Sequence, residues 1–120
     1  MTSEDQIQQQ IVNFFTNNYC LKHHSPRCSI FSVPNGGSRN ILEAKKLKAT
    51  GMKAGVSDLI VLMPNRAMFI ELKNEKGVQS ESQKDFEHSV SDLGFEYYLI
   101  RSLDQFIELI KKTAPKLEAV

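Results

Sequence analysis

The chain has 120 residues, 15 of them lysine or arginine and 14 aspartate or glutamate, for a formal net charge of +1. That length accommodates a single domain over residues 1–120 with one core and little room for a second module, and the balanced charge excludes binding to nucleic acid through bulk basicity alone. With two cysteines, a polar start at Met1-Thr-Ser-Glu-Asp-Gln and no apolar run approaching a membrane span, the expected setting is the cytoplasm, with both thiols free.

Ser3-Glu-Asp-Gln6 has the spacing of a capping box, and Ile7, Ile11, Phe14 and Phe15 recur at helical intervals, which predicts a first helix ending near Asn18. Cys20, His23, His24 and Cys28 superficially suggest zinc ligands, but their spacing fits no familiar structural site and no second ligand pair follows, so they read as loop residues. Ser29 to Val33 alternates as a short strand, stopped by Pro34-Asn-Gly-Gly37. Ser38 to Ala49 reads as a second helix, with Ile41, Leu42 and Leu47 on one side, lysines on the other, and Gly51 closing it.

Leu59 to Met63 is apolar at every position, the pattern of a central strand buried on both faces, and Pro64-Asn65 turns the chain into Ala67 to Lys73. Ser80-Glu-Ser-Gln83 offers a second capping box, followed by Phe86, Val90 and Leu93 as the buried stripe of a helix that Gly94 stops. Phe95 to Arg101 is the next strand, and Ser102 or Asp104 caps a last helix marked by Leu103, Phe106, Ile107 and Ile110. The order predicts a mixed sheet of about four strands between helices, with a right-handed parallel crossover from Ala67 to Arg101.

Asp58 stands where the Leu59 strand begins, and Glu71 and Lys73 lie two residues apart on the next strand. Alternate side chains of a strand point to opposite faces, so Glu71 and Lys73 share one face while Met68, Ile70 and Leu72 take the other. Two carboxylates held together repel unless a cation sits between them, and hard oxygen ligands of this kind suit Mg²⁺ or Mn²⁺. A lysine beside that cation can hold or activate a water for attack on a phosphate. The plain alternative is a solvated cross-strand ion pair on an edge strand.

Arg39, Lys45, Lys46, Lys48 and Lys53 gather just ahead of Asp58, a local basic patch of the kind a phosphodiester backbone needs beside an acidic site. Asn35, Gly36, Gly37 and Arg39 form a turn on the expected substrate side, where glycine allows close approach to a sugar-phosphate chain. The bland counterparts are an ordinary strand-to-helix loop and a solvated lysine face.

Through these residues the chain resembles the virus-type replication-repair nuclease (VRR-NUC) domain, a compact branch of the restriction-endonuclease-like, PD-(D/E)xK superfamily. The resemblance runs through Ser3-Glu4 with Gln8, Val33-Pro34-Asn35-Gly36, Gly51-Met-Lys-Ala-Gly55-Val-Ser-Asp58, Phe69-Ile-Glu71-Leu-Lys73 and Gly77-Val-Gln-Ser80-Glu-Ser-Gln83. It implies an α/β, three-layer restriction-endonuclease-like fold. It also implies that Asp58, Glu71 and the Leu72 carbonyl bind Mg²⁺ or Mn²⁺, and that Lys73 positions or deprotonates the attacking water. Nearby carboxylates stabilise an ammonium, which favours positioning.

Glu4 resembles the family's first-helix acid, able to reach the metal directly or through water, although an acid there also suits the helix dipole. Gln83 matches the family's glutamine beside the lysine or scissile phosphate, and it is equally the capping-box partner of Ser80. Asn35, Gly36, Arg39, Lys45, Lys48 and Lys53 are candidate DNA contacts. Ser57 stands where the superfamily places a proline before the acid, a change confined to the shape of the strand start.

The implied activity is metal-dependent, structure-selective cleavage of DNA by a phage-type endonuclease acting on four-way junctions or flaps. A homodimer would present paired sites to a two-fold substrate. A sequence-reading restriction-type nuclease is disfavoured because no insertion large enough to read a major groove is present. A non-catalytic DNA-binding module is disfavoured because every expected catalytic position is filled.

Overall fold

A computed structural model describes residues 1–21, 26–34 and 41–114. Helix α1 (Glu4–Phe15) opens on a complete capping box, in which Ser3 Oγ accepts from the Gln6 amide and Gln6 Oε1 accepts from the Ser3 amide. It continues into a π-helical turn, Thr16–Cys20, so the helical segment runs slightly past its expected end near Asn18. Then come β1 (Ser29–Ser32), α2 (Ile41–Ala49), β2 (Leu59–Met63), β3 (Arg66–Leu72), α3 (Glu81–Asp92), β4 (Glu96–Ile100) and α4 (Leu103–Thr113). No described helix is long and apolar enough to cross a membrane.

The strands form one sheet in the order β1-β2-β3-β4. The pairs β1–β2 and β2–β3 are antiparallel and β3–β4 is parallel, so the expected mixed sheet, hairpin and parallel crossover are all present. On one face, Ile7, Ile11 and Phe15 of α1 and Phe106 and Ile110 of α4 bury against Leu59, Val61, Met68, Ile70, Leu72 and Ile100. Each large side chain removed from water there contributes about 1.5–3 kcal/mol. On the other face lies α3, whose Phe86 ring meets Phe69 edge-on at 5.6 Å and tilts against Tyr97 at 6.2 Å.

Three apolar expectations need correction. Leu62 is 40% exposed although Leu59, Val61 and Met63 are buried, because α3 covers β3 and β4 and no described helix lies over that face of β1 and β2. Leu93 is exposed rather than part of the buried stripe with Phe86 and Val90, since it is the C-cap residue, where the chain leaves the helix before Gly94. Leu42 is exposed because, among the described residues, no strand or other helix packs on α2. Cys20 and Cys28 are free thiols, both with proton affinity raised by burial, while His23 and His24 lie outside the described residues.

Candidate active site

The site forms at the sheet end where β2 begins and β3 finishes. Antiparallel pairing matches Leu59 with Ile70, and continuing that register by one residue places Asp58 opposite Glu71 on the face away from the α1–α4 core. Asp58 Oδ2 accepts from the Leu72 amide at 2.7 Å, which ties the carboxylate across the end of the hairpin. Ser57 is fully buried and its hydroxyl donates to the Leu59 carbonyl at 3.3 Å, so the start of β2 is fixed without a proline.

Glu71 is 1% exposed on β3, which has a strand on either side, and Lys73 keeps only 12% of its side chain in solvent; a solvated pair on an edge strand is therefore ruled out. Glu71 Oε2 accepts from Gln83 Nε2 at 3.0 Å and lies 3.8 Å from Lys73 Nζ. Its second oxygen, Oε1, is buried and meets no donor group, so a hydrogen bond between Glu71 and the facing Asp58 forms only when one of the two carboxyls carries a proton. Burial above all, then the Asp58 carboxylate and more weakly Glu4, pushes the Glu71 carboxyl up to about 8, against an opposing pull from Lys73. Glu4, the first residue of α1, is thus close enough to add its charge to the site.

Gln83 joins cap and site through one amide. Its Oε1 accepts from the Ser80 amide at 2.8 Å while Nε2 reaches Glu71, so the two roles suggested by the sequence coexist in one side chain. Gly55 sets the distance between the loop before Asp58 and α3: at φ 82°, an added Cβ would lie 2.1 Å from the Ser82 carbonyl oxygen.

Lys45, Lys48 and Lys53 are exposed, and among the described residues none is paired with the site carboxylates. Asn35, Gly36, Gly37 and Arg39 lie outside the described residues. The polar loop that follows Lys73 closes as a turn the sequence reading did not specify, where Asn74 Oδ1 accepts from the Lys76 and Gly77 amides at 3.1 and 2.9 Å. An asparagine followed three residues later by glycine is a local signal for such a turn.

The donor set fits a hard cation. Among the described residues, no group of three or more His, Cys, Asp or Glu side chains could hold an ion unaided. Two carboxylates, one with a buried oxygen that meets no donor group, match Mg²⁺ or Mn²⁺, which keep several waters, better than the closed ligand set of structural zinc.

The raised proton affinity of Glu71 carries a stability prediction. Between the ordinary value of 4.5 and about 8, the native metal-free protein holds a proton that the unfolded chain has released. Stability therefore falls as pH rises through that window and is greatest at its acid end, before other carboxylates titrate. Thermal unfolding in chelator between pH 5 and pH 8 measures this. The slope should vanish for this group in Glu71→Gln.

A mixed sheet between helices, with two acids and a lysine brought together at one sheet end, makes this an α/β domain with a charged cluster on one sheet face. A profile of the VRR-NUC domain family matches residues 2–104, and the chain belongs to that nuclease family, which makes it a nuclease-like DNA-processing domain. A solved structure described as a VRR_NUC domain protein has a similar fold, with a TM-score of 0.72 at 22% identity over 93% of this chain and 88% of that one. No curated protein matches the chain.

Proposed function

We propose that residues 1–120 act as a single metal-dependent, structure-selective endodeoxyribonuclease domain that hydrolyses phosphodiester bonds in branched DNA, four-way junctions or flaps. The observation that carries this reading is the buried Oε1 of Glu71, which meets no donor group, beside Asp58. Without metal the two facing acids are accommodated by a proton held on Glu71, and a cation between them would take that proton's place.

Asp58, Glu71 and the Leu72 carbonyl would hold Mg²⁺ or Mn²⁺. When bound, such an ion polarises the scissile phosphate and makes its water more acidic. Lys73, held at 3.8 Å from Glu71, orients the attacking water through its ammonium hydrogens. Gln83 fixes the Glu71 carboxylate from α3, and Glu4 deepens the negative field that draws a cation. Lys45, Lys48 and Lys53, with Asn35, Gly36 and Arg39, are assigned to the DNA backbone, where neutralised phosphates give salt-dependent affinity.

A homodimer acting in a phage-infected or bacterial cytoplasm completes the proposal, because two sites related by a two-fold axis suit a two-fold junction. Cleavage of linear, flapped and four-way DNAs of one sequence tests it. Branched substrates should be cut faster than the linear duplex with Mg²⁺ or Mn²⁺, and none should be cut in chelator. Cutting of linear duplex at a fixed base sequence would indicate a restriction-type reader, and tight binding without cleavage a non-catalytic module. Sedimentation showing only monomers on junction DNA would refute the dimer.

A further inference from the structure

We propose that Arg101 is a positioning residue for Lys73, acting through the turn from Asn74 to Gly77; this rests on the role proposed above for Lys73. A lysine at the end of a strand has a long flexible stem whose rotamer entropy opposes any single placement. The Lys73 amide still donates to the Ile100 carbonyl at 3.1 Å, but beyond it the chain leaves the sheet. Something other than the sheet must hold the ammonium beside Glu71.

The turn supplies that wall. Asn74 Oδ1 closes it through the Lys76 and Gly77 amides, and the Gly77 amide also donates to the Asn74 carbonyl at 3.2 Å. Gly77 presses on the lysine stem so closely that an added Cβ would lie 3.1 Å from Lys73 Cδ and 3.3 Å from Lys73 Cβ.

Arg101 holds the turn at both ends: Nη1 donates to the Asn74 carbonyl at 2.7 Å and to the Gly77 carbonyl at 2.8 Å. Its own amide donates to Gln105 Oε1 at 2.7 Å, and the Gln105 amide in turn donates to the N-cap hydroxyl of Ser102 at 3.2 Å. A connected path therefore runs from the start of α4 through Arg101 and the turn to the Lys73 stem and Glu71. Arginine suits this place because one nitrogen of its planar, permanently charged group offers two hydrogens in fixed directions.

The test compares Lys73→Met, Arg101→Met, Gly77→Val and the Arg101→Met/Lys73→Met double variant. Two quantities are read: the single-turnover cleavage rate at saturating Mg²⁺, and the affinity for four-way DNA, without turnover, across a salt series. Arg101→Met should slow cleavage roughly 10- to 100-fold, the scale set by an ångström of misplacement. Affinity and its salt slope should not change. In the Lys73→Met background the same substitution should have no further effect, whereas a purely structural role would add its loss. Gly77→Val, which crowds the stem from the turn side, should reproduce the slowing and decides the matter if Arg101→Met does not fold.

An additive loss in the double variant would overturn the proposal. So would a loss found wholly in affinity with the salt slope reduced by about one, which would make Arg101 a phosphate contact. Inactive Lys73→Met beside fully active Arg101→Met and Gly77→Val would refute this inference alone. Full activity of Lys73→Met would refute the reading of Lys73 and this inference together.

Discussion

Glu71→Gln is expected to remove divalent-metal-dependent DNA cleavage by roughly a thousandfold or more, while making the metal-free protein more resistant to heat near pH 8. The two effects have opposite signs for one physical reason. Glu71 is 1% exposed, has an oxygen that meets no donor group, and faces Asp58. In the absence of metal, ionising it is unfavourable, which is why its carboxyl is pushed up to about 8. Glutamine has nearly the same shape and keeps a carbonyl oxygen able to accept from Gln83, yet it never ionises. It removes the unfavourable charge and, with it, the anionic ligand. The stability gain should shrink as pH falls toward 4.5, where the wild-type carboxyl also stays protonated. Unfolding curves in chelator at several pH values, beside cleavage rates in Mg²⁺, measure both halves. A variant that loses stability and activity together at pH 8 would instead mark Glu71 as an ordinary packing residue.

Gly55→Ala should be among the most destabilising single-methyl additions in the chain, on the order of 3 kcal/mol or more, lowering the melting temperature by roughly 10 °C. Two costs combine there. The backbone sits at φ 82°, which disfavours any side chain, and the new Cβ would meet the Ser82 carbonyl oxygen at 2.1 Å, its carbon at 2.3 Å and the Gln83 amide nitrogen at 2.8 Å. Those are backbone atoms in the first turn of α3, so they cannot move without shifting the helix that carries Gln83. Cleavage at temperatures where the variant stays folded should therefore also fall, through the Gln83–Glu71 bond. Gly94→Ala is the matched control. It has a similar φ of 89° but nothing within 4 Å of the added carbon, so it should lose only the backbone share, about 1 kcal/mol. Equal melting temperatures for the two variants would show that the Gly55–Ser82 approach does not matter.

Where structure follows from neighbouring residues, the sequence was a good guide. Ser3 with Gln6 and Ser80 with Gln83 announced two capping boxes, because both partners of each hydrogen bond sit within one turn. The apolar run of β2 and the Pro-Asn turn after it located the hairpin, and the alternation of side chains along any strand put Glu71 and Lys73 on one face. Burial of individual leucines was less legible. Leu62 and Leu42 are exposed because that depends on which strands and helices a neighbour spans, a property of the assembled layers rather than of the local pattern. Gly55 lies three residues before Asp58, but its tight neighbour is Ser82, across the space between sheet and helix, which residue order does not show. Arg101 gave no signal at all. Its partners are backbone carbonyls 24 and 27 residues away, and carbonyls leave no trace in residue type.

The most direct measurement of the central claim is cleavage of four-way DNA by the wild type and Glu71→Gln, side by side, in Mg²⁺, Mn²⁺ and chelator. Cleavage confined to the wild type with either metal is the predicted result. Undiminished cleavage in chelator, or equal cleavage by both proteins, would contradict a metal site built on Asp58 and Glu71.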